Sequence, residues 1–565
     1  MSQDFKKVLV NDDRLMVTDS IEYGVLSGGQ NVTVAPYNAI SKSTSQLVFN
    51  IQVPSEQTII DRRVMLKSTW TISITGTPAS GAYLIDLGYK DALGPFPVHQ
   101  LFTTVQATIN NNTVNMNCKD VINALLRSND VRELQAYNSM APVAFDTYLK
   151  YSDAVNSTNN PLGSFVNVGD NDLVPRGAFI VDSITGNTVG DGTTSKTVTI
   201  KFTTTEPLLV SPFIFGDPKT NNQGFYGIQV MNFIMNVGQA NRVWRTASSV
   251  ADYAVSLVSC DEAKLYFSFI TPHPSLLLPA RNVVPYYEVP RYISTVGSAI
   301  PSNLDGSGFP TGAATTITAN NIQLNQVPDK LIIFCRKQLG NQTVKDSDSF
   351  LPIEGIRLNW NNNSGLLATA SQMDLYRASR EAGSNQTFFE FSGKAWKNAA
   401  GGGSGAPVYT SGSMLMLDMG KHVQLTEDWY APGSLGTFQL QFDISVKNYT
   451  GAEIPANTYE IVLITVNSGC FVCERGSSSI FTGILTKQDV LDAKQQEPIS
   501  NSSVRRMIGG GWLDRLKTLV PKMLPVAKAV MKEIDHPVAK MGADVISSLG
   551  YGQSAGAKKL SKRLM

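Results

Sequence analysis

The chain has 565 residues, enough for two to four domains and ample core. Only 16% are charged, against a usual value of about 25%, and Asn, Ser, Thr and Gly fill the gap. No run of about 18 apolar residues occurs, which excludes a transmembrane helix, and five scattered Cys exclude a disulfide scaffold and indicate free thiols in a reducing compartment.

Met1 to Arg14 is polar, so no signal sequence is expected. Strand patterns then dominate. Val64, Leu66, Trp70, Ile72 and Ile74 share one face of Arg63 to Thr75. Around Thr108 the chain reads T-I-N-N-N-T, after Phe96-Pro97 and shortly before a helical pattern of Val121, Ile122, Ala124, Leu125, Leu126 and Arg127. Strand runs follow at Thr197 to Thr203, Ile228 to Val237 and Lys264 to Thr271. Pro274 to Ser294 carries four prolines, which disfavour helix and central strand, and reads as an extended connector between two β domains.

The second half repeats the habit. Strand runs fall at Lys330 to Arg336, Phe438 to Val446 and Tyr459 to Asn467. Around Asn359 the chain reads N-W-N-N-N-S, after Phe350-Leu351-Pro352 and before Met373, Leu375, Tyr376, Ala378, Ser379 and Arg380. The two Asn triplets, 110–112 and 361–363, are about 250 residues apart, too far for a solenoid repeat and suited to two copies of one domain. Asn tolerates left-handed backbone, so both triplets read as turns. Gly401 to Gly405 reads as a flexible loop tip. Strands joined by polar loops, with few short helices, predict β-sandwiches rather than a βαβ fold.

The β pattern ends near Leu485. Gly509-Gly510-Gly511 forms a hinge, and beyond it Trp512, Leu516 and Leu519 lie at helical spacing with Arg515, Lys517, Lys522, Lys528 and Lys532 largely between apolar positions. Pro521 and Pro525 should kink or split this helix. The last residues hold Lys558, Lys559, Lys562 and Arg563. From Arg505 onward twelve Lys/Arg face four Asp/Glu, a net +8, so the remaining chain carries −7 to reach the total of +1. This basic tail has three readings: a helix docked on its own body, a membrane-surface helix, or a genome contact. Membrane action is favoured over genome contact because phosphate binding does not need regular amphipathicity.

Chemistry is scarce. The four His sit in no zinc-binding pattern, and Cys470-Phe-Val-Cys473 has no second ligand pair near it. No phosphate loop or nucleophile elbow occurs. Glu288, Glu354, Glu381 and Glu390 are the carboxylates a glycosidase reading would call on, and nothing singles them out. No catalytic, metal or cofactor site is expected.

Asn325-Gln326-Val327-Pro328-Asp329-Lys330, leading into Leu331-Ile332-Ile333-Phe334, resembles a turn with "N-x-P-V-K" in double jelly-roll major capsid proteins of large nucleocytoplasmic DNA viruses and their relatives. Val and Pro are swapped here. Val53-Pro54 to Thr75, with Asp61-Arg62-Arg63, resembles part of the first roll in virophage-like and polinton-like capsid proteins. The resemblance covers roughly residues 20–490. Gly550-Tyr551-Gly552 before the Lys-rich terminus is similar to internal peptides of capsid systems.

This resemblance implies an all-β fold of two tandem jelly-roll sandwiches; the short basic amphipathic helical tail read above lies outside it. It implies a viral major capsid protein in the virion, without enzymatic activity or cofactor. Three chains would form a pseudo-hexagonal capsomer of an icosahedral shell. The implied partners are the homotrimer, penton or minor capsid proteins, and the genome or a membrane through the tail. The expected domains are 1–280, 281–497 and the tail 498–565. Two rivals remain open: a carbohydrate-active or carbohydrate-binding β-sandwich, and tandem single jelly rolls of a picorna-like coat protein.

Overall fold

Alternation of apolar and polar residues builds the eight principal strands of the first roll. They are β1 (Asn31–Asn38), β2 (Gln46–Gln52), β3 (Met65–Gly76), β4 (Phe102–Ile109), β5 (Asn112–Met116), β6 (Lys196–Pro207), β7 (Val230–Val237) and β8 (Ala254–Thr271). The computed structural model describes residues 5–10, 23–28, 31–87, 90–129, 145–151, 180–213, 224–271, 278, 280–397, 405–425, 430–483 and 485. In β3, Leu66, Trp70, Ile72 and Ile74 are fully buried, while Lys67, Thr71, Ser73 and Thr75 stay partly exposed on the other face. The one polar group on the inner face, Ser68, accepts a 2.8 Å bond from the Trp70 indole N–H, so it is buried without an unmet donor.

The eight principal strands of the second roll are β9 (Arg281–Glu288), β10 (Ile322–Gln326), β11 (Lys330–Lys337), β12 (Ile353–Trp360), β13 (Asn363–Leu366), β14 (Leu415–Asp418), β15 (Leu435–Val446) and β16 (Tyr459–Glu474). Strand order makes the duplication plain. One sheet of the first half runs β1-β8-β3-β6 and the other β2-β7-β4-β5; in the second half the orders are β9-β16-β11-β14 and β10-β15-β12-β13. Each position advances by eight, and all named pairs are antiparallel. These are two jelly rolls of identical topology.

Both Asn triplets occupy the same place in their rolls, the hairpins β4–β5 and β12–β13. Asn110 and Asn361 hold φ of 52° and 50°, the left-handed backbone that Asn tolerates. Both predicted helices follow these hairpins, α2 at Cys118–Ser128 and α3 at Gln372–Glu381. Two single-turn helices were not legible in the sequence: α1 (Pro97–Leu101) and α4 (Phe388–Ser392).

The Pro-rich segment differs from the expected connector. Residues 281–288 and 291–295 pair with β16 and form the first strand of the second roll. Proline is accommodated because β9 is an edge strand, where Pro285 faces Cys470 and its missing N–H breaks no central ladder. Much of 272–279 lies outside the described residues, as do 401–404 of the Gly-rich loop.

The connections of the second roll sort to two ends. Val327, before β11, and Ser434, before β15, hydrogen bond to each other, and Leu485 bonds to Gly433 and Leu435 beside them. At the other end the long connections meet: the Tyr409 hydroxyl donates to the Gly308 carbonyl at 2.6 Å, and the Asn448 N–H to the Asn303 side chain at 2.8 Å.

Candidate functional site: the lock between the rolls

The eleven residues of α2 read as an amphipathic helix, yet every one is buried. Its apolar positions join the core of the first roll. Its charged residues Asp120 and Arg127 are held by the second roll instead of by water. Asp120 is bound by Arg336 of β11 and by Arg291 at 2.5 Å. Arg336 also reaches Glu460 of β16 at 2.8 Å. The Arg127 guanidinium lies between the rings of Phe145 and Phe350, 4.8 and 4.7 Å from their centroids, and donates to the Asp348 carbonyl at 2.7 Å. Such enclosed charges cost desolvation, and each persists here because an opposite charge, a carbonyl or an aromatic face replaces water.

Asp348 is the centre of this region. Its carboxylate accepts from Arg242 at 2.5 Å and from Arg245 at 3.3 and 3.4 Å, both from the connection between β7 and β8. Its own N–H donates to Asp146 at 2.9 Å. Three surrounding guanidiniums hold its carboxyl well below the usual carboxylate range, overriding the desolvation that pushes it up. Burial, helped by the nearby Arg242 charge and opposed by Asp120, lowers the Lys119 ammonium to about 8.

Around these charges the contact is apolar. Ile332 and Phe334 of β11, Met414, Met416 of β14, and Val462, Ile464 and Val466 of β16 join one core with the first roll, whereas Leu331, Ile333, Cys335, Leu415 and Leu463 face the second roll's own interior. The middle sheet of the molecule is therefore buried on both faces. That is why β11 and β16 read as continuous apolar runs and β3 as an alternating one.

A second clasp lies at the β4–β5 hairpin. The Ser478 N–H donates to the Asn111 side chain at 2.7 Å, its hydroxyl to the Ile109 carbonyl at 2.6 Å, and Asn112 donates to the Ser478 carbonyl. Asn110 reaches the Ser477 carbonyl at 3.2 Å. The triplet of the first roll thus holds the strand Ser477–Thr482 of the second, a role sequence reasoning missed because its partner lies over 360 residues away.

The candidate glutamates are dispersed and structurally occupied. Glu390 closes a capping box on Thr387. Glu381 meets Lys421 at 2.6 Å, and Glu354 lies 4.0 Å from Lys447. Glu288 ends the edge strand β9. All five Cys are buried and free. Among the described residues, no group of three His, Cys, Asp or Glu could hold a metal ion. The predicted tail contacts, Trp512, Arg515, Leu516, Lys517, Leu519, Lys522, Lys528, Lys532, Lys558, Lys559, Lys562 and Arg563, all lie outside the described residues.

Two jelly rolls fused through a charged helix and a shared apolar sheet define a double jelly-roll protein built for structure. Comparison with known proteins agrees. Residues 3–270 match the model of the Sputnik virophage major capsid protein first domain, and residues 290–469 that of the major capsid protein V20 C-terminal domain. The putative capsid protein V20 of Sputnik virophage is 28% identical over 98% of this chain and 95% of its own length. The cryo-EM structure of the Sputnik virophage contains a chain with TM-score 0.74 and 27% identity, covering 89% of this chain and 98% of that one. The mavirus major capsid protein shares the fold, with TM-score 0.68 and 17% identity over 82% of this chain and 93% of its own. The chain belongs to the double jelly-roll major capsid proteins of the virophage lineage. It is a structural component of the virion and not an enzyme.

Proposed function

We propose that three copies of this chain form a pseudo-hexagonal capsomer, and that capsomers join penton or minor proteins in an icosahedral shell. The observation that carries this reading is the lock around α2. It joins two rolls of identical topology through a buried, partly charged interface, so the chain behaves as one two-roll block. Three such blocks supply six like units, which a closed three-fold ring can accommodate. Obligate interfaces of this kind bury more than about 2,000 Å². Light scattering and negative-stain microscopy of purified protein test it. Trimers of hexagonal outline are expected; monomer alone up to high micromolar concentration overturns it.

The domain limits proposed are 1–280, 281–497 and 498–565. We assign the tail to the capsid interior. Leu485 leaves the second roll beside Val327 and Gly433, at the end opposite the long connections around Gly308, Tyr409 and Asn448. If the long connections face outward, the net +8 of the tail faces inward, toward an anionic genome or lipid. Each basic residue near an anionic bilayer contributes roughly 1 kcal/mol. Full-length protein and its Trp512→Ala/Leu516→Ala variant separate the two targets. Loss of liposome leakage in the variant supports membrane action; salt-sensitive nucleic-acid binding that survives it supports genome contact. Neither activity in the parent protein leaves the docked-helix reading.

A further inference from the structure

The contact inside the chain has two unlike halves: a helix from the first roll, α2, and the outer face of the β9-β16-β11-β14 sheet of the second. Because the rolls are built alike, each chain carries both halves a second time. One is α3 on the second roll. The other is the outer face of β1-β8-β3-β6 on the first. Among the described residues neither is used in this way. We propose that α3 of one copy docks on the outer face of β3 and β6 of the next copy, repeating between chains the contact already made inside the chain. This rests on the trimeric reading above and names the surface that would build it. A contact between unlike halves generates a ring when its rotation closes.

Four observations support the assignment. First, the helices correspond. With Arg127 set on Arg380, the buried α3 residues Leu375 and Ser379 fall on Ile122 and Leu126 of α2. Asp120, Ala124 and Arg127 then fall on Met373, Arg377 and Arg380, all three exposed on α3. In α2, Asp120 and Arg127 of that stripe are the residues that grip the second roll.

Second, the receiving face is shaped. A shallow groove of about 920 Å³ lies over β3 and β6, lined by Lys67, Thr69, Lys201, Thr203 and Thr205, with Asp261 and Glu262 along one side and residues 180–183 along the other. The walls come from two local features. Register shifts at Leu257/Ser259 and Cys260/Glu262 bulge β8, and the short strand Ile180–Thr185 adds to the edge of β6.

Third, the groove offers carboxylates to a cationic helix stripe. Asp182, Asp261 and Glu262 line it, Asp261 paired with Lys201 and Glu262 with Lys264 and Lys67. The facing stripe of α3 presents Arg377, with 71% of its side chain exposed, and Arg380. Fourth, exposed apolar side chains flank both halves. Val32, Val34 and Ile180 lie on the outer face of the first roll's sheet, and Met373 and Phe389 lie on α3 and the adjoining α4.

The test is a charge swap with a cross-linking arm. Arg377→Glu with Arg380→Glu should raise the concentration for half-trimerisation by about tenfold or more, with circular dichroism unchanged. Adding Asp182→Lys with Asp261→Lys should restore trimer. Independently, Arg377→Cys with Lys201→Cys should give a covalent trimer ladder with a short bismaleimide, against a low background because the five native thiols are buried. Each single Cys variant should give none. A parent protein that trimerises, with the charge-reversed variant equally trimeric and no ladder, overturns the surface while leaving the capsomer intact. A parent protein that stays monomeric overturns both.

Discussion

Replacing Asp348 by Asn tests whether the rolls are held by the charged centre of their contact. The change keeps the shape of the side chain and removes one negative charge from a site where it is 3% exposed. Arg242 and Arg245 would then face a neutral amide while remaining enclosed. Removing one partner of a buried ion pair costs about 3–5 kcal/mol. Arg242 keeps bonds to the carbonyls of Thr343 at 2.9 Å and Asp346 at 2.8 Å, and Arg245 one to the Arg242 carbonyl, so neither guanidinium is orphaned. The lower end of that range, about 3 kcal/mol, is therefore expected. Urea unfolding followed by intrinsic fluorescence reads the loss. The pH dependence adds a second signature. The folded carboxyl is held below its unfolded value of about 3.9, so its contribution is fully present above that value and is lost as pH falls below it toward the folded value. The parent protein should lose this share of stability on acidification below about pH 4, and the Asn variant should lack it. A variant within 1 kcal/mol of the parent at pH 7, with an unchanged acid slope, would refute the reasoning.

Three further outcomes follow from the same contacts. Phe334→Ala, which removes a ring 5.0 Å from Phe350 in the core shared by the rolls, should cost about 3–5 kcal/mol in a denaturant titration. Asn111→Ala should cost about 1–3 kcal/mol, because the Ser478 N–H loses its acceptor, and should increase protease nicking near residues 477–482 under native conditions. The thiols should stay silent toward a disulfide reagent near neutral pH and all react once unfolded, since burial raises Cys260 to about 12 and Cys470 to about 11. Fast modification of a native thiol would contradict the packing described.

Much of the fold was legible because it is local. Period-two alternation in β3, β-branched runs in β6 and β7, and Asn triplets at equivalent hairpins all follow from backbone and side-chain preferences within a few residues. The repeat of the Asn triplet and the following helix carried the duplication, and strand order established it. The sequence also encoded, in the unbroken apolar runs of Lys330–Arg336 and Tyr459–Asn467, that these strands would have no wet face.

What it could not disclose was what covers them. An amphipathic pattern states that α2 has a polar side, and the same pattern serves for water or for a second domain. Only tertiary structure placed Arg291 and Arg336 against Asp120, and Asp348 among Arg127, Arg242 and Arg245. These partners stand 100 to 220 residues apart, with no period to link them. The Pro-rich segment failed for a related reason. Proline forbids a donated ladder bond, but whether that bond is needed depends on a neighbour on its outer side, and β9 lies at the sheet edge. Preferences within a strand, hairpin or helix turn are fixed by adjacent atoms. The partner that neutralises a buried charge, or leaves an edge open, is chosen only when the whole chain has packed.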